Sequence, residues 1–266
     1  MLTHLSWQAV DIIKWMGVEP EIRKHATHEE GVAFVRWNGR PIGTFKATGR
    51  SDIQSLTSEY EIFRGGLAKI FIEPVMGRVN LIFNETADHY TQDADGVHVT
   101  FGTYDLLVAA DGLGSRLRGS LINTSLREQI HDEGVYAAYF TIKKDLLKGS
   151  RIAKLNQALE KGNESYMQLI EELYRDEEWL TPEVLQGMRE IDDFYCTLFA
   201  QVQCPKLCDR RVVLLGDAGY ATPGLGTSLA ITGGYVLAGE LLSHSGDITT
   251  ALAQYEKLLL GFVKAS

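Results

Sequence analysis

The sequence predicts an α/β protein in which a mixed or parallel sheet is flanked by helices and accompanied by a small β-layer. Residues 104–111, YDLLVAAD, and residues 211–217, RVVLLGD, have uninterrupted apolar cores, a pattern typical of strands buried on both faces. Each of these strands leads through a turn into a helical pattern, as in α/β proteins. The small β-layer is predicted from residues 32–45 and 79–101, where short apolar runs alternate with turn residues.

Composition indicates a folded chain that does not bind nucleic acid. The chain has 266 residues, of which 45% are hydrophobic and 23% charged, and this excludes a disordered chain. Its 26 basic and 35 acidic residues give a net charge of -9, whereas binding of nucleic-acid phosphates needs a basic surface. No apolar run is long enough to span a bilayer.

The three cysteines are too few for a disulfide framework, so we expect a protein of the reducing cytoplasm. Cys204 and Cys208 are four residues apart, but no other Cys or His stands at zinc spacing around them. We therefore expect no metal site.

The first elements of the chain follow from periodicity and turn residues. Residues 4–16 have the period of a helix, and no strand pattern precedes it. Residues 32–45 are predicted to form a hairpin in which Asn38 and Gly39 make a type I′ turn. Ser58 and Glu61 have the spacing of a capping box at the start of a further helix.

Later elements are predicted in the same way. Three short strands are expected at residues 79–83, 86–92 and 97–101, and two longer ones at residues 135–142 and 194–203. The charged stretch of residues 143–192 has the pattern of two or three amphipathic helices, and the chain closes with helices at residues 226–243 and 248–263.

The first candidate site follows residues 104–111. Asp111 stands at the carboxyl end of the predicted strand, where open α/β sheets bind ligands. Gly112 and Gly114 allow close approach of the backbone to a ligand, and Ser115 is suited to cap the next helix. An ordinary strand–turn–helix connection would have the same residues, so spacing alone leaves both interpretations open.

The second candidate site follows residues 211–217. Asp217 can accept hydrogen bonds from hydroxyl groups just past the strand. Gly224 and Gly226 then expose backbone N–H groups at the start of a long helix, where the helix dipole favours an anion or an electron-rich ring, and Pro223 stiffens the approach. Two such loops after buried strands favour a ligand site over a glycine-rich loop before a core helix.

These motifs together resemble those of a known enzyme family. DGLGSRLR, residues 111–118, matches the pattern D-G-x-x-S-x-x-R, and GDAGYATPGLGTSLA, residues 216–230, matches G-D-A…P…G-x-G. Phe63, Arg64 and Leu67 match F/L-R-x-x-L. In this order the motifs are similar to those of the single-component FAD-dependent monooxygenases, the flavoprotein aromatic hydroxylases. A less specific similarity is to the fungal secondary-metabolism branch of this family.

The resemblance implies the organisation of the chain. It implies a single FAD-binding domain of Rossmann-like fold over residues 1–266. Residues 104–120 and 211–243 would be its cofactor-side elements. The helical stretch of residues 143–192 would replace a reduced substrate-binding region.

The resemblance also implies roles for individual residues. Asp217 would hydrogen-bond the ribityl chain of FAD. Arg64 would contact the ribityl or pyrophosphate region, and Asp111 and Arg118 would brace the pyrophosphate side and assist the use of the pyridine nucleotide. Tyr220 is expected either to line the substrate pocket or to fill the core. The residues expected at the flavin end of the long helix are Pro223, Gly224, Gly226, Thr227 and Ala230.

The sequence departs from the family pattern in two places. The motif G-x-G-x-x-G, which holds the ADP half of FAD in this family, does not occur in it. The substrate-binding strands expected within residues 143–192 are also missing. Without the first strand of the family, the parallel sheet would have an exposed edge.

Two functions remain in consideration. The first is an FAD-dependent monooxygenase, reduced by NAD(P)H, that hydroxylates or epoxidises a small aromatic or polyketide-type substrate in secondary-metabolite biosynthesis. The second is a non-redox relative, either an isomerase or cyclase or an accessory protein that binds a complete flavoprotein through the exposed sheet edge. The lack of a G-x-G-x-x-G motif favours the non-redox relative, and the two paired motifs favour the monooxygenase.

Overall fold

The computed structural model describes residues 2–3, 5–36, 38–48, 59–125, 127–146, 148–150, 152–155, 166–177, 179–191 and 194–263. The helices in these ranges are α1 (Trp7–Trp15), α2 (Glu19–Lys24), α3 (Arg64–Ile72), α4 (Arg116–Ile122), α5 (Tyr166–Tyr174), α6 (Thr181–Arg189), α7 (Asp217–Tyr220), α8 (Gly226–Ser243) and α9 (Ile248–Val263). The strands are β1 (Leu2–Thr3), β2 (Gly31–Val35), β3 (Pro41–Lys46), β4 (Ile62–Phe63), β5 (Thr91–Gln92), β6 (Val97–Val99), β7 (Gly102–Tyr104), β8 (Leu107–Ala109), β9 (Ile130–Tyr139), β10 (Ile152–Leu155), β11 (Tyr195–Val202), β12 (Cys208–Asp209) and β13 (Val212–Leu214).

The chain is organised as two compact units. The first consists of Met1–Trp7, Gly17–Pro74 and Asp132–Phe199, and the second of Gln8–Met16, Val75–His131 and Ala200–Ser266. The α/β class predicted from the sequence is confirmed, because both units combine helices with sheets. The single domain expected over residues 1–266 stays a prediction.

A three-stranded sheet in the first unit has the order β10-β2-β3. The predicted hairpin of residues 32–45 is confirmed, since β2 and β3 pair antiparallel with Val32 opposite Phe45. The predicted type I′ turn is wrong. The Gly39 N–H donates to the Arg36 carbonyl over 2.9 Å, so Gly39 is the last residue of the turn and does not stand at its centre.

Two expectations for the start of the chain are corrected by a small sheet. β1 precedes α1 and pairs antiparallel with β4, with Leu2 opposite Phe63, so a strand does come before the first helix. α3 begins only at Arg64, because Ile62 and Phe63 are used in this pairing. Glu61 is therefore outside the helix, and the predicted capping box is wrong; its other member, Ser58, lies outside the described residues.

The central sheet of the second unit has the order β12-β13-β8. β8 and β13 are parallel, as expected for the two apolar strands, and Ala109 lies opposite Leu214. β13 is fully buried and packs into a core that includes Leu229 of α8 and Leu252 of α9. β8 is less buried than predicted, with Val108 38% exposed, because it is the edge strand of this sheet within the described residues.

A second sheet of this unit is a small antiparallel meander with the order β5-β6-β7. Two of the three short strands predicted before β8 are confirmed in part, as β5 and β6. Residues 79–83 form no strand, and their apolar side chains are exposed, Phe83 by 76%. A short apolar run does not form a strand without a neighbour that supplies its hydrogen bonds.

The predicted helical stretch of residues 143–192 contains α5, α6 and one strand that the sequence did not indicate. This strand, β10, pairs parallel with β2, and Ile152 lies opposite Gly31. The two closing helices are confirmed as α8 and α9. Across the part of the chain that is described, no helix has the length and apolar character needed to cross a membrane.

Candidate functional site

The two sequence motifs lie side by side at one edge of the central sheet of the second unit. β8 and β13 run parallel in register, so their carboxyl ends point the same way. The ladder continues one step further, where the Leu215 N–H donates to the Ala109 carbonyl over 2.9 Å. The turns that contain Asp111 and Asp217 therefore leave adjacent strands at the same edge, which is where open α/β sheets bind ligands.

The first turn is held by hydrogen bonds between Asp111 and the start of α4. The Ser115 hydroxyl donates to one carboxylate oxygen of Asp111 over 2.6 Å, and the Arg116 N–H donates to the other over 3.1 Å. Ser115 also caps α4 by accepting from the Arg118 N–H over 3.0 Å, which confirms the predicted cap. Gly112 has a φ of 82°, which favours glycine.

Arg118 connects the first turn to the second. Its side chain is fully buried, and its guanidinium donates to the Leu113 carbonyl over 2.8 Å and to the Ala218 carbonyl over 3.1 Å. Burial lowers the pKa of Arg118, and the nearby Cys204 and Asp111 oppose this shift. The structure places Arg118 within the protein framework, and the pyrophosphate contact expected for it stays a prediction.

The second turn begins with a backbone conformation that needs glycine. Gly216 has a φ of 64° and a ψ of -140°, a region that is essentially restricted to glycine. A Cβ at this position would also stand 3.3 Å from the Cβ of Ala230 in the first turns of α8. The absence of a side chain at residue 216 thus lets α8 pack closely against the end of β13.

Asp217 lies next to the N-terminus of α8. One of its carboxylate oxygens is 2.9 Å from the position that a Cβ on Gly226 would occupy, so glycine at residue 226 makes room for this carboxylate. The N-cap residue of α8, Leu225, makes no side-chain cap. Gly224 is exposed, has a φ of 79° and has no atom within 4 Å of its Cβ position. The helix therefore begins beside a carboxylate, and the exposed Gly224 precedes its first turn.

Tyr220 is part of the core of the second unit. Its ring is 1% exposed, and its hydroxyl lies 3.1 Å from that of Tyr255, which donates to the Leu214 carbonyl over 2.9 Å. Burial raises the pKa of Tyr220. These contacts place Tyr220 in the core, which was one of its two expected roles. The other, lining the substrate pocket, stays a prediction.

The remaining predicted site residues fall in two places. Pro223 lies before α8 and Thr227 in its first turn, and both are half-buried. Arg64 belongs to the first unit, where it is the exposed first residue of α3. Within the second unit the structure brings together Asp111, Arg118, Asp217, Pro223, Gly224, Gly226, Thr227 and Ala230.

Sequence reasoning missed the acceptors of the Arg118 guanidinium, which are the Leu113 and Ala218 carbonyls. Backbone carbonyls have no residue-type signature, so a motif cannot indicate them.

Comparison with known proteins identifies the family, although no family model matches the chain. The FAD-dependent monooxygenase asL6 of Sarocladium schorii is 30% identical over an alignment that covers 95% of this chain and 73% of that protein. The FAD-dependent monooxygenase asL4 of the same organism is 27% identical over 320 positions, covering 97% of this chain and 74% of that protein. Because this chain has 266 residues, it is shorter than asL4 within the matched region.

Solved structures show the same fold. The structure of the tetracycline destructase Tet(51) superposes with a TM-score of 0.81 at 27% identity, covering 99% of this chain and 77% of that one. The structure of HpxO from Klebsiella pneumoniae, complexed with FAD and uric acid, superposes with a TM-score of 0.76 at 19% identity and covers 99% of this chain and 76% of that one. Together with the identity to asL6, this shows that the chain belongs to the family of FAD-dependent monooxygenases.

Proposed function

We propose that this monooxygenase holds FAD at the edge of the central sheet of its second unit, between the Asp111 turn and the N-terminus of α8. The observation that supports this most is the parallel pairing of β8 with β13, which places Asp111 and Asp217 at the ends of adjacent strands. Ligands of open α/β sheets bind at such carboxyl ends.

The residues at this edge fit the ribityl and ring portions of a flavin. The start of α8 lacks a side-chain cap and is open to solvent at Gly224, where a Cβ would meet no atom within 4 Å. Asp217 offers a carboxylate beside Gly226, and hydroxyl groups such as those of the ribityl chain are suitable donors to it. The N-terminal partial charge of the 18-residue helix α8 favours an electron-rich group there.

Each residue of the site has a task that its own contacts explain. When bound, FAD would supply the redox chemistry, in which NAD(P)H is the reductant and oxygen is the source of the inserted atom. Asp217 would orient the cofactor by accepting hydrogen bonds from its hydroxyl groups. Gly226 leaves space for that carboxylate, and Arg118 holds the Leu113 and Ala218 carbonyls so that both turns keep their position.

The substrate is proposed to be a small aromatic or polyketide-type compound that is hydroxylated or epoxidised. The likeness to the tetracycline destructase Tet(51), 27% identical with a TM-score of 0.81, supports a polycyclic substrate of this class. A role in secondary-metabolite biosynthesis stays a prediction. NAD(P)H consumption that rises on addition of such a compound would identify a substrate.

The flavin site is tested by titrating the chain with FAD and measuring flavin fluorescence. We expect Asp217→Ala to raise the Kd by at least about tenfold, since loss of a hydrogen bond to a charged acceptor costs about 1.5–3 kcal/mol. Asp95→Ala is a matched control, because it removes an exposed carboxylate from the turn between β5 and β6. Circular dichroism of both variants checks that they are folded.

Two outcomes would contradict the proposal. Equal FAD affinity of Asp217→Ala and the wild-type chain would exclude Asp217 as a cofactor ligand. A wild-type chain that binds no FAD would favour the non-redox alternative, an isomerase, a cyclase or an accessory protein. That accessory protein would act through the edge strand β8, and binding to a complete flavoprotein of this family would be the measurement to make.

We also propose a cytoplasmic location. All three cysteines are free thiols, which supports a reducing compartment. Cys204 is buried, and the thiol of Cys208 donates to the Leu252 carbonyl over 3.5 Å, so both have packing roles. Burial raises the pKa of the Cys204 thiol to about 11, which disfavours a reactive thiolate.

A further inference from the structure

Glu61 is an acidic side chain buried in the first unit, and the flavin site proposed above does not use it. It is 7% exposed, and its Oε2 atom has no hydrogen-bond partner. Burial of an ionised carboxylate without compensating partners is costly, so such a group takes up a proton instead. The position therefore favours the neutral acid.

Glu29 is half-buried and follows by two residues Thr27, whose N–H donates to the Glu61 carbonyl. The negative charge of Glu29 and a side-chain hydrogen bond with it help to raise the pKa of Glu61. Ionised carboxylates only accept hydrogen bonds, so this contact requires a proton on one of them. Burial, followed by the negative charge of Glu29, raises the pKa of Glu61. Burial also raises the pKa of Glu29, but the hydrogen bond from Glu61 lowers it. Glu61 thus holds the proton and donates a hydrogen bond to Glu29.

The pair lies where two distant segments of the first unit meet. The Thr27 N–H donates to the Glu61 carbonyl over 2.9 Å, and Ala26 forms an isolated antiparallel bridge with Ile62. The carboxyl pair adds a side-chain contact beside these backbone contacts. The residues after α2 are thereby joined to β4.

We propose that Glu29 and Glu61 share one proton and form a pH-sensitive latch between the segment after α2 and β4. In the closed latch the Glu61 carboxylic acid donates to the Glu29 carboxylate. Loss of the shared proton leaves two negative charges in contact, and their repulsion opens the latch.

Of the charged groups on neighbouring elements, Arg23 and Lys69 are engaged with other partners. From α2, the Arg23 guanidinium donates to Glu19, to Glu59 and to the Tyr60 hydroxyl. From α3, Lys69 pairs with Glu73 over 3.5 Å. The other ionisable groups nearby are Glu21, Lys24, His25, His28, Glu30 and Arg64, and β1 has none. Of the described groups, Glu29 is the one whose charge acts on Glu61.

The direction of the pH dependence follows from the raised pKa of Glu61. Its ordinary value is 4.5, and the value in the folded chain is about 8. Between these values the folded chain retains a proton that the unfolded chain has lost, so the latch contributes less stability as the pH rises. Its contribution is complete below 4.5 and is lost once the pH has passed about 8.

The test is the pH dependence of the Tm of Glu61→Gln between about pH 5 and pH 9. Glutamine keeps the shape of the protonated acid and can donate to Glu29, but it cannot lose a proton. As the pH rises, we expect the Tm of Glu61→Gln to fall less than that of the wild-type chain. At the alkaline end the Tm of the variant should be higher by about 3 °C or more. Glu29→Gln should flatten the curve only in part, because burial still raises the pKa of Glu61. Glu30→Gln, at an exposed neighbouring carboxylate, should follow the wild-type curve.

Parallel curves for the wild-type chain and Glu61→Gln would overturn the latch. Infrared spectroscopy of the wild-type chain gives a second measurement that needs no stable variant. We expect the C=O stretch of a protonated carboxyl group at neutral pH, and its loss in alkaline buffer. Absence of this band at neutral pH would mean that both carboxylates are ionised and would likewise overturn the proposal.

Discussion

At residue 233 of α8, a Cβ atom would stand 1.9 Å from the hydroxyl oxygen of Tyr220, so glycine is required there. The hydroxyl is used in the core, where it lies 3.1 Å from that of Tyr255. Glycine weakens a helix interior, and here this weakness is offset by the hydrogen-bonded tyrosine pair that it accommodates. The neighbouring Gly234 has no atom within 4 Å of its Cβ position.

Gly233→Ala is expected to destabilise the chain by about 1–3 kcal/mol, because the new methyl group displaces the Tyr220 hydroxyl from a packed core. Gly234→Ala is the matched control on the same helix and should be neutral or stabilising by up to about 1 kcal/mol. Urea unfolding measures both changes.

The steric cause can be separated from the effect on the helix. In a Tyr220→Phe background the hydroxyl is absent, so Gly233→Ala should cost less than it does in the wild-type chain. Equal unfolding free energies for Gly233→Ala and Gly234→Ala would show that the close approach has no energetic consequence.

At the scale of elements, α4 depends on the side chain that begins it. Ser115 is 1% exposed and makes two hydrogen bonds, from the Arg118 N–H and to Asp111. The sequence predicted this cap because serine follows a glycine-rich turn and precedes a helical pattern. The cap also supports the candidate site, since α4 contains the buried Arg118.

Ser115→Ala is expected to lower the free energy of unfolding by about 1–2 kcal/mol, because the buried Arg118 N–H loses its acceptor. Ser120→Ala on the same helix is the control, since Ser120 is exposed and its hydroxyl donates to the Arg116 carbonyl over a long 3.4 Å. We expect the control to stay within about 0.5 kcal/mol of the wild-type chain. Equal losses in the two variants would show that the cap is not what stabilises α4.

Elements with long, regular patterns were predicted well, and short strands were not. Helices expected at residues 226–243 and 248–263 appear as α8 and α9 with the same bounds, because many apolar residues at helical spacing define each one. β10 has four residues and was missed, and residues 79–83 were wrongly predicted as a strand. A short strand depends on the partner that pairs with it, and its own residues do not specify that partner.

For the whole molecule, the two apolar strands and the helices after them indicated the α/β class, and the order of the motifs indicated the monooxygenase family; both are now shown. The division into two compact units was not predicted from the sequence, because no linker composition marks a boundary between them. The units interleave along the chain, each being built from three separate segments. Such an arrangement depends on long-range contacts, to which a linear pattern is insensitive.

By itself, the sequence determined the features that depend on local chemistry: the apolar strands before Asp111 and Asp217, the serine cap of α4 and the glycines of the two turns. Only the tertiary structure decided which groups meet, as for Arg118 with the Ala218 carbonyl, Gly233 with the Tyr220 hydroxyl and Glu29 with Glu61. The physical reason is that conformational preference acts between near neighbours in the chain, whereas packing brings together residues far apart in sequence. At those contacts burial alters both the charge state and the steric requirements of each side chain.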